Sequence, residues 1–342
     1  MFKRILVSLD GSSFAERALP HAEKIARMFG SKIILLRVLE TTGEINQPQA
    51  VDPLIWQIKK NQAEEYLKET ANSVKKRISN KGADVEYDLL QGKPSENIIT
   101  FAHNENIDLL VMCTHGWGGF SRWNLSSVTQ KIINRIYLPV LLIRAYEESE
   151  AAETNISYRR ILMPVDSSPR SECAFSAGIR FINGENEAAK TINAESKKEQ
   201  VEPHLFLTTV IRPPEIPVPE PHAEDIRALV DQFMQVSKDA AQQYLNRIKS
   251  QLSVPSKIKI IEHHIISQAL QRVVEEENID LIIMCAHGYT GHYNYPYGSV
   301  AREMLEFGAK PILIIQDIPL CQVRSSDSEI AAQKTGSAID DR

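Results

Sequence analysis

The strongest constraint on this chain is that it writes the same passage twice. ENIDLLVMCTHGWGG at 105–119 returns as EENIDLIIMCAHGYTG at 276–291, and RILVSLDGSSFAERA at 4–18 returns as RILMPVDSSPRSECA at 160–174. The second correspondence sets Arg4, Asp10, Ser12 and Glu16 against Arg160, Asp166, Ser168 and Glu172, an offset of 156. From Val38 and Val210 the offset is 172, and it holds through Asn106/Asn278, Cys113/Cys285, Ser127/Ser299 and Pro139/Pro311. Self-similarity sustained at separate places means two copies of one folding unit. The sixteen residues gained fall in NGENEAAKTINAESKKEQVEP (183–203), whose charge and lack of apolar period read as a surface insertion.

Within each copy, apolar runs (ILVSL, KIILLRV, VEYDLL, DLLVM, VLLI in the first) alternate with stretches of helical spacing. That order predicts a parallel sheet covered on both faces. After the first strand, Ser13 and Glu16 stand in capping-box register for a helix ending at Gly30. Its counterpart starts at Ser168-Pro169 and is expected to stop near Asn183-Gly184. Further helices are expected over 53–80 and 222–252, and they carry the echoed AEEYL and AQQYL. The units are 1–145 and 159–317, joined by an acidic linker at 146–158 and followed by a tail, 318–342, expected to be disordered.

Composition narrows the partners. With 342 residues, 43% of them hydrophobic, there is enough chain for two cores. A net charge of -5 leaves no basic footprint for nucleic acid or an anionic membrane. No apolar run approaches a membrane span, and MFKRILVSLDGSS turns polar too soon for a signal peptide, so the expectation is a cytoplasmic protein. Cys113, Cys173, Cys285 and Cys321 show no CxxC and no zinc spacing, and the reading is reduced thiols with no metal site.

The D-x-S start, the T-H-G or A-H-G loop, nine residues, then Ser-Ser or Gly-Ser and a closing P-V-L-L-I strand resemble the universal stress protein family, as two fused copies spanning nearly the whole chain. The resemblance implies two tandem α/β, Rossmann-like domains of the adenine-nucleotide-hydrolase type. Each would be a five-stranded parallel sheet of order 3-2-1-4-5. The nucleotide-binding branch of that family carries G-x2-G-x9-G-[ST] after the fourth strand. Here the first glycine is Cys113 or Cys285, and the first copy has Ser126 where the second keeps Gly298.

Elementary chemistry points to the same place. Ligands of open α/β sheets bind beyond the carboxyl ends of the strands at the topological switch. There, a helix opened by Gly-Ser presents unpaired N–H groups that attract phosphate. The candidate contacts in the second copy are Pro164, Val165, Asp166, Val210, Met284, Cys285, His287, Gly288, Gly298, Ser299 and Val300. A weaker set in the first is Ser8, Asp10, Val38, Met112, Cys113, His115, Gly116, Ser126, Ser127 and Val128. By the resemblance, Val38 or Val210 meets adenine through backbone groups and the Asp meets the nucleoside. Each feature also has a plainer reading: Gly-Ser as a helix cap, Asp10 and Asp166 as caps of the next helix, the histidines as hydrogen-bonded loop residues, and the cysteines as small core residues.

No phosphate-loop lysine and no nucleophile elbow are present, so catalysis is not expected. The leading reading is a stress-response protein that binds ATP or another adenine nucleotide, with or without Mg, and changes its protein contacts. The alternatives are a nucleotide-free interaction module and a slow ATPase. LPVLLIR (138–144) and KPILIIQ (310–316) are apolar on both faces yet close their sheets, which predicts that the halves pair with each other and that the unit can dimerise further. If the Gly298 position needs a positive φ or a bare backbone, the first site is weaker by roughly one to three decades, and Gly298→Ala removes most binding.

Overall fold

The computed structural model describes residues 1–40, 53–78, 84–114, 125–144, 156–192, 202–216, 223–290 and 295–317. The first copy runs β1 (Arg4–Leu9), α1 (Ser13–Glu16), α2 (Ala18–Phe29), β2 (Lys32–Leu39), α3 (Pro53–Ile78), β3 (Val85–Gln91), α4 (Pro94–Asn104), β4 (Leu109–Cys113), α5 (Ser127–Ile133) and β5 (Val140–Ile143). The second runs β6 (Arg160–Pro164), a 3-10 turn (Ser171–Ala174), α6 (Phe175–Ile192), β7 (His204–Ile211), α7 (Ala223–Gln251), β8 (Ser256–Glu262), α8 (Ile266–Glu276), β9 (Leu281–Cys285), α9 (Ser299–Phe307) and β10 (Ile312–Ile315).

All ten strands form one sheet of order β3-β2-β1-β4-β5-β10-β9-β6-β7-β8. Each half has the expected order 3-2-1-4-5, and its neighbouring strands pair in parallel. The closing strands meet antiparallel with Leu141 opposite Leu313, and all eight of their residues are buried. Their two-faced apolar character therefore has a local cause: each is an inner strand of the joined sheet. Arg144, just beyond β5, clamps the joint by donating to the carbonyls of Met304, Leu305 and Glu306 at the end of α9. The outer edges, β3 and β8, carry Glu86, Asp88, Lys257 and Lys259, charges that discourage a further strand from adding.

One apolar core lies on each face, and each contains residues of both halves. Across the joint, the rings of Phe29 and Phe181 meet edge to face at 5.5 Å. Nearby, His21 on α2 is hydrogen-bonded to the hydroxyl of Tyr158, and both are buried. Burial without a counter-charge lowers the His21 pKa to about 4, so the ring is neutral.

The repeated E-N-I-D proves to be scaffold. Asn106 and Asn278 end α4 and α8 with φ of 49° and 46°, a left-handed position that Asn tolerates better than most residues. Ile107 and Ile279 then drop into the core. Asp108 accepts the N–H groups of Lys3 and Arg4, while Asp280 accepts those of Arg159 and Arg160, so each carboxylate ties the start of the first strand to the start of the fourth. Glu105 and Glu277 pair with Arg4 and Arg160. The echoed tyrosines likewise have matching partners: Tyr66 donates to Glu16 and Tyr244 to Glu172.

Several expectations need correction. The first helix is capped by Ser12, whose hydroxyl accepts from the Ala15 N–H, and not by Ser13; a break at Arg17 separates α1 from α2. Pro20 falls in the first turn of α2, where its missing N–H costs nothing. The second copy's helix does not stop at Asn183-Gly184 but continues to Ile192, into the stretch read as an insertion. Its hold is non-local: Glu185 is buried, accepts the Tyr158 N–H and pairs with Lys24 of the other half at 2.8 Å. Tyr158, assigned to the linker, is 1% exposed and belongs to the core. Residues 146–155 of the linker and the tail after Asp317 lie outside the described residues.

The cysteines also differ from expectation. Cys173 and Cys285 are joined by a disulfide, Cα to Cα 6.3 Å, whereas Cys113 is free and buried. The 3-10 turn carries Cys173 to the end of β9, and the first copy has Arg17 at the matching position, so Cys113 has no such partner. Burial pushes the Cys113 thiol up to about 12.

Candidate functional site

At the carboxyl end of the second copy's strands lies a cavity of about 710 Å³. All eleven residues read from the sequence for this half line it, brought together from the ends of β6, β7 and β9 and the start of α9. One wall is an apolar slot made by Val210, Ile266, Leu270 and Met284. Toward the mouth stand Asp166, Arg212 and the Gly298-Ser299 pair that opens α9. Arg302 and Glu303 complete this rim, so its fixed side-chain charges are mixed. Among the described residues no cluster of three His, Cys, Asp or Glu could hold a metal ion, and no helix is long and apolar enough to cross a membrane.

Asp166 is held in place before any ligand arrives. Its Oδ1 accepts the N–H and hydroxyl of Ser168, at 3.1 and 2.6 Å, and its Oδ2 accepts the Tyr289 N–H at 2.6 Å. Burial raises its pKa, but these hydrogen bonds outweigh burial and leave it below the ordinary carboxylate value. Gly288 is required here, because a Cβ would collide with Asp166 Oδ2. The loop reaches this geometry through Ser167 at φ 65°, a left-handed conformation that its counterpart Gly11 adopts at 88°.

His287 is buried, with Nδ1 2.7 Å from Asp317 Oδ1 and Nε2 2.8 Å from the Tyr295 carbonyl. Both ring nitrogens are thereby engaged. Arg170 lies 3.6 Å from the second oxygen of Asp317. This network pins the loop before α9 to the end of β10, the structural role of a hydrogen-bonded loop histidine. Cys285 lines the cavity as half of the disulfide.

At Gly298 the structure overturns one premise. Its φ is -69° and ψ 168°, extended backbone open to any residue. A Cβ there would meet the Ala286 carbonyl at 3.3 Å, a tight contact without backbone strain. Ser126 in the first copy has the same extended backbone, φ -60° and ψ 152°. The difference between the copies lies in the hydrogen bonds: Ser126 Oγ accepts the Thr129 N–H at 3.1 Å, so α5 is capped from within, whereas α9 has no side-chain cap. The N–H groups that open α9 are thus offered to the cavity.

The first copy's counterpart is only partly described. Ser8, Asp10, Val38, Met112, Cys113, Ser126, Ser127 and Val128 occupy strand ends and the start of α5, matching the second half. His115 and Gly116 lie outside the described residues. Several cavity residues in the second half were missed from sequence, and two of them on or just beyond β7 differ between copies: Thr208 corresponds to Leu36 and Arg212 to Glu40 at the fixed offset. Comparing the copies for differences as well as echoes would have found them.

A model of the universal stress protein family matches residues 1–144 and 157–316. A universal stress protein of Methanocaldococcus jannaschii is 30% identical over 145 residues, 42% of this chain and 83% of its own length. One from Thermus aquaticus is 32% identical over 145 residues, 42% of this chain and all of its own. The crystal structure of a universal stress protein from Archaeoglobus fulgidus superposes with a TM-score of 0.60 at 17% identity, covering 92% of this chain and 98% of that one, a likeness of fold.

Proposed function

The chain belongs to the universal stress protein family, and on that premise we propose that its second half binds an adenine nucleotide, ATP foremost, and that the bound state alters contacts with protein partners in a stress response. The observation that carries this reading is the junction, in one cavity, of an apolar slot with an uncapped helix N-terminus. A base fits the first and phosphates suit the second, where N–H groups and the helix dipole favour negative charge. Asp166 keeps unused lone pairs on a fixed carboxylate, a suitable acceptor for sugar hydroxyls. Arg212 adds a positive charge at the rim. Mg, if it accompanies ATP, would have to arrive with the phosphates, since the described residues assemble no metal cluster of their own.

The slow-ATPase reading needs His287 or Asp166 to position water, but both ring nitrogens of His287 are engaged by Asp317 and the Tyr295 carbonyl, and the free lone pairs of Asp166 are those assigned above to the sugar. Binding without turnover is the function this geometry supports best. The test is to release ligand from purified protein by heat, identify it by mass spectrometry, and titrate the emptied protein with ATP by calorimetry. Release of an adenine nucleotide, or saturable heat with ATP, supports the reading. Protein that carries no nucleotide and gives no heat up to millimolar ATP refutes it in favour of the nucleotide-free interaction module.

A further inference from the structure

Thr208 is 1% exposed, lines the cavity, and its hydroxyl has no hydrogen-bond partner. Buried hydroxyls are normally satisfied, and an orphan in a cavity wall calls for a group supplied from outside the chain. Its place on β7 says which part of a ligand would supply it. Thr208 stands opposite Pro164 in the β6–β7 register, two residues before Val210 on the same face, so it lies about 7 Å deeper along the strand. The walls beside it are the apolar Ile266, Leu270 and Met284, while the rim with Arg212 and α9 lies toward the strand ends. Of the other buried hydroxyls of this wall, that of Ser171 donates to the Ser168 carbonyl, and that of Tyr297, also without a hydrogen-bond partner, lies beside Gln316.

Resting on the nucleotide reading above, we infer that Thr208 reads the base: its hydroxyl pairs with the polar edge of an adenine ring inserted into the slot, while the phosphates stay at the rim. A hydroxyl both donates and accepts, which suits an edge that sets an amino donor beside a ring-nitrogen acceptor. The first copy lacks this device. In the β1–β2 register, Leu36 stands opposite Ser8 as Thr208 stands opposite Pro164, and it is fully buried.

In the empty protein an unpaired buried hydroxyl is a standing cost; in the complex it becomes an asset. Thr208→Val keeps the shape and removes the hydroxyl, so its two effects should have opposite signs. Ligand-free Thr208→Val should melt at or above the wild-type temperature, and its affinity for ATP should fall roughly tenfold to a hundredfold in calorimetry. Inorganic tripolyphosphate, which has no base, should bind both proteins equally, and Thr208→Ser should restore ATP affinity to within about threefold of wild type. The inference is overturned if Thr208→Val binds ATP as wild type does, if it loses tripolyphosphate in equal measure, or if the ligand-free variant melts lower, which would mean that the hydroxyl serves the fold. Each of these leaves wild-type ATP binding intact. A wild type that binds no ATP instead sinks the nucleotide reading, and this inference with it.

Discussion

Laid over each other, the two copies separate into residues that stayed and residues that changed. Asn106/Asn278, Asp108/Asp280, Arg4/Arg160 and the Tyr66–Glu16 and Tyr244–Glu172 pairs make the same bonds in both halves, and none of them lines the cavity. Among the changed positions, four lie at or beside the second half's cavity: Leu36 against Thr208, Glu40 against Arg212, Ser126 against Gly298, and Arg17 against Cys173 beside Cys285. Other echoed residues, among them Val210, Met284, His287, Gly288 and Ser299, do line the cavity, so the echo records scaffold and site together, and the departures mark where the second site differs from the first. Asp10 and Asp166 stand between these groups, each binding the serine two residues on, and Asp166 is also tied to the loop after the fourth strand.

The largest expected break in the symmetry is the disulfide. It spans 112 residues of the second half, and the first half has nothing like it. Cross-linking a loop of that length restricts the unfolded chain, worth about 4 to 5 kcal/mol. Cys173→Ser, or reduction of the native protein, should lower the urea midpoint accordingly. An unchanged midpoint with both thiols shown free by mass spectrometry would mean that the bond contributes nothing.

Next comes His21, whose counterpart in the second half is Ala177. Its folded pKa is about 4 against an ordinary 6.5, so between those values the unfolded chain binds a proton that the folded one does not. The stabilising contribution is whole above pH 6.5 and is lost as pH falls toward 4, on the order of 3 kcal/mol in all. Melting curves from pH 7 to 4 should fall more steeply for wild type than for His21→Gln. Parallel curves would show that His21 does not set the acid limb.

The smallest effect concerns the loop after the first strand. Ser167 holds at φ 65° the conformation that Gly11 adopts without strain. Ser167→Gly should raise stability by about 1 kcal/mol. Gly11→Ser should lower it by at least that much, since a Cβ there would also press on the Arg37 guanidinium at 2.9 Å. Equal stabilities in chemical denaturation would mean that the two loops differ in more than this residue.

Much of this fold can be read from local pattern. Alternating apolar runs and the repeat suffice for ten strands in two like halves, the family resemblance implies their order, and the two-faced apolar closing strands predict the pairing of β5 with β10. What escaped depends on contacts distant in sequence. The reach of α6 past Gly184 rests on Glu185 bonding Lys24 and Tyr158, and the disulfide rests on a cysteine with no counterpart in the first copy. At the site, the echoed loop led to Gly288 and Gly298. The φ of Gly298 shows, though, that backbone strain is not what separates the copies, and Gly298→Ala is accordingly expected to cost less than a decade of affinity. Thr208 was visible all along as a hydroxyl inside HLFLTTVI where the first copy writes KIILLRVL.

The central claim is that one half of this chain carries the nucleotide site, and the number of ATP molecules bound per chain tests it most directly. Equilibrium dialysis with radiolabelled ATP should saturate at about one per chain. Arg212→Glu, which writes the first copy's Glu40 into the second, should weaken that site about tenfold or more, and Glu40→Arg should leave it unchanged. Two equal sites per chain, or a single site that is indifferent to Arg212→Glu and lost on changing Asp10, would contradict the account.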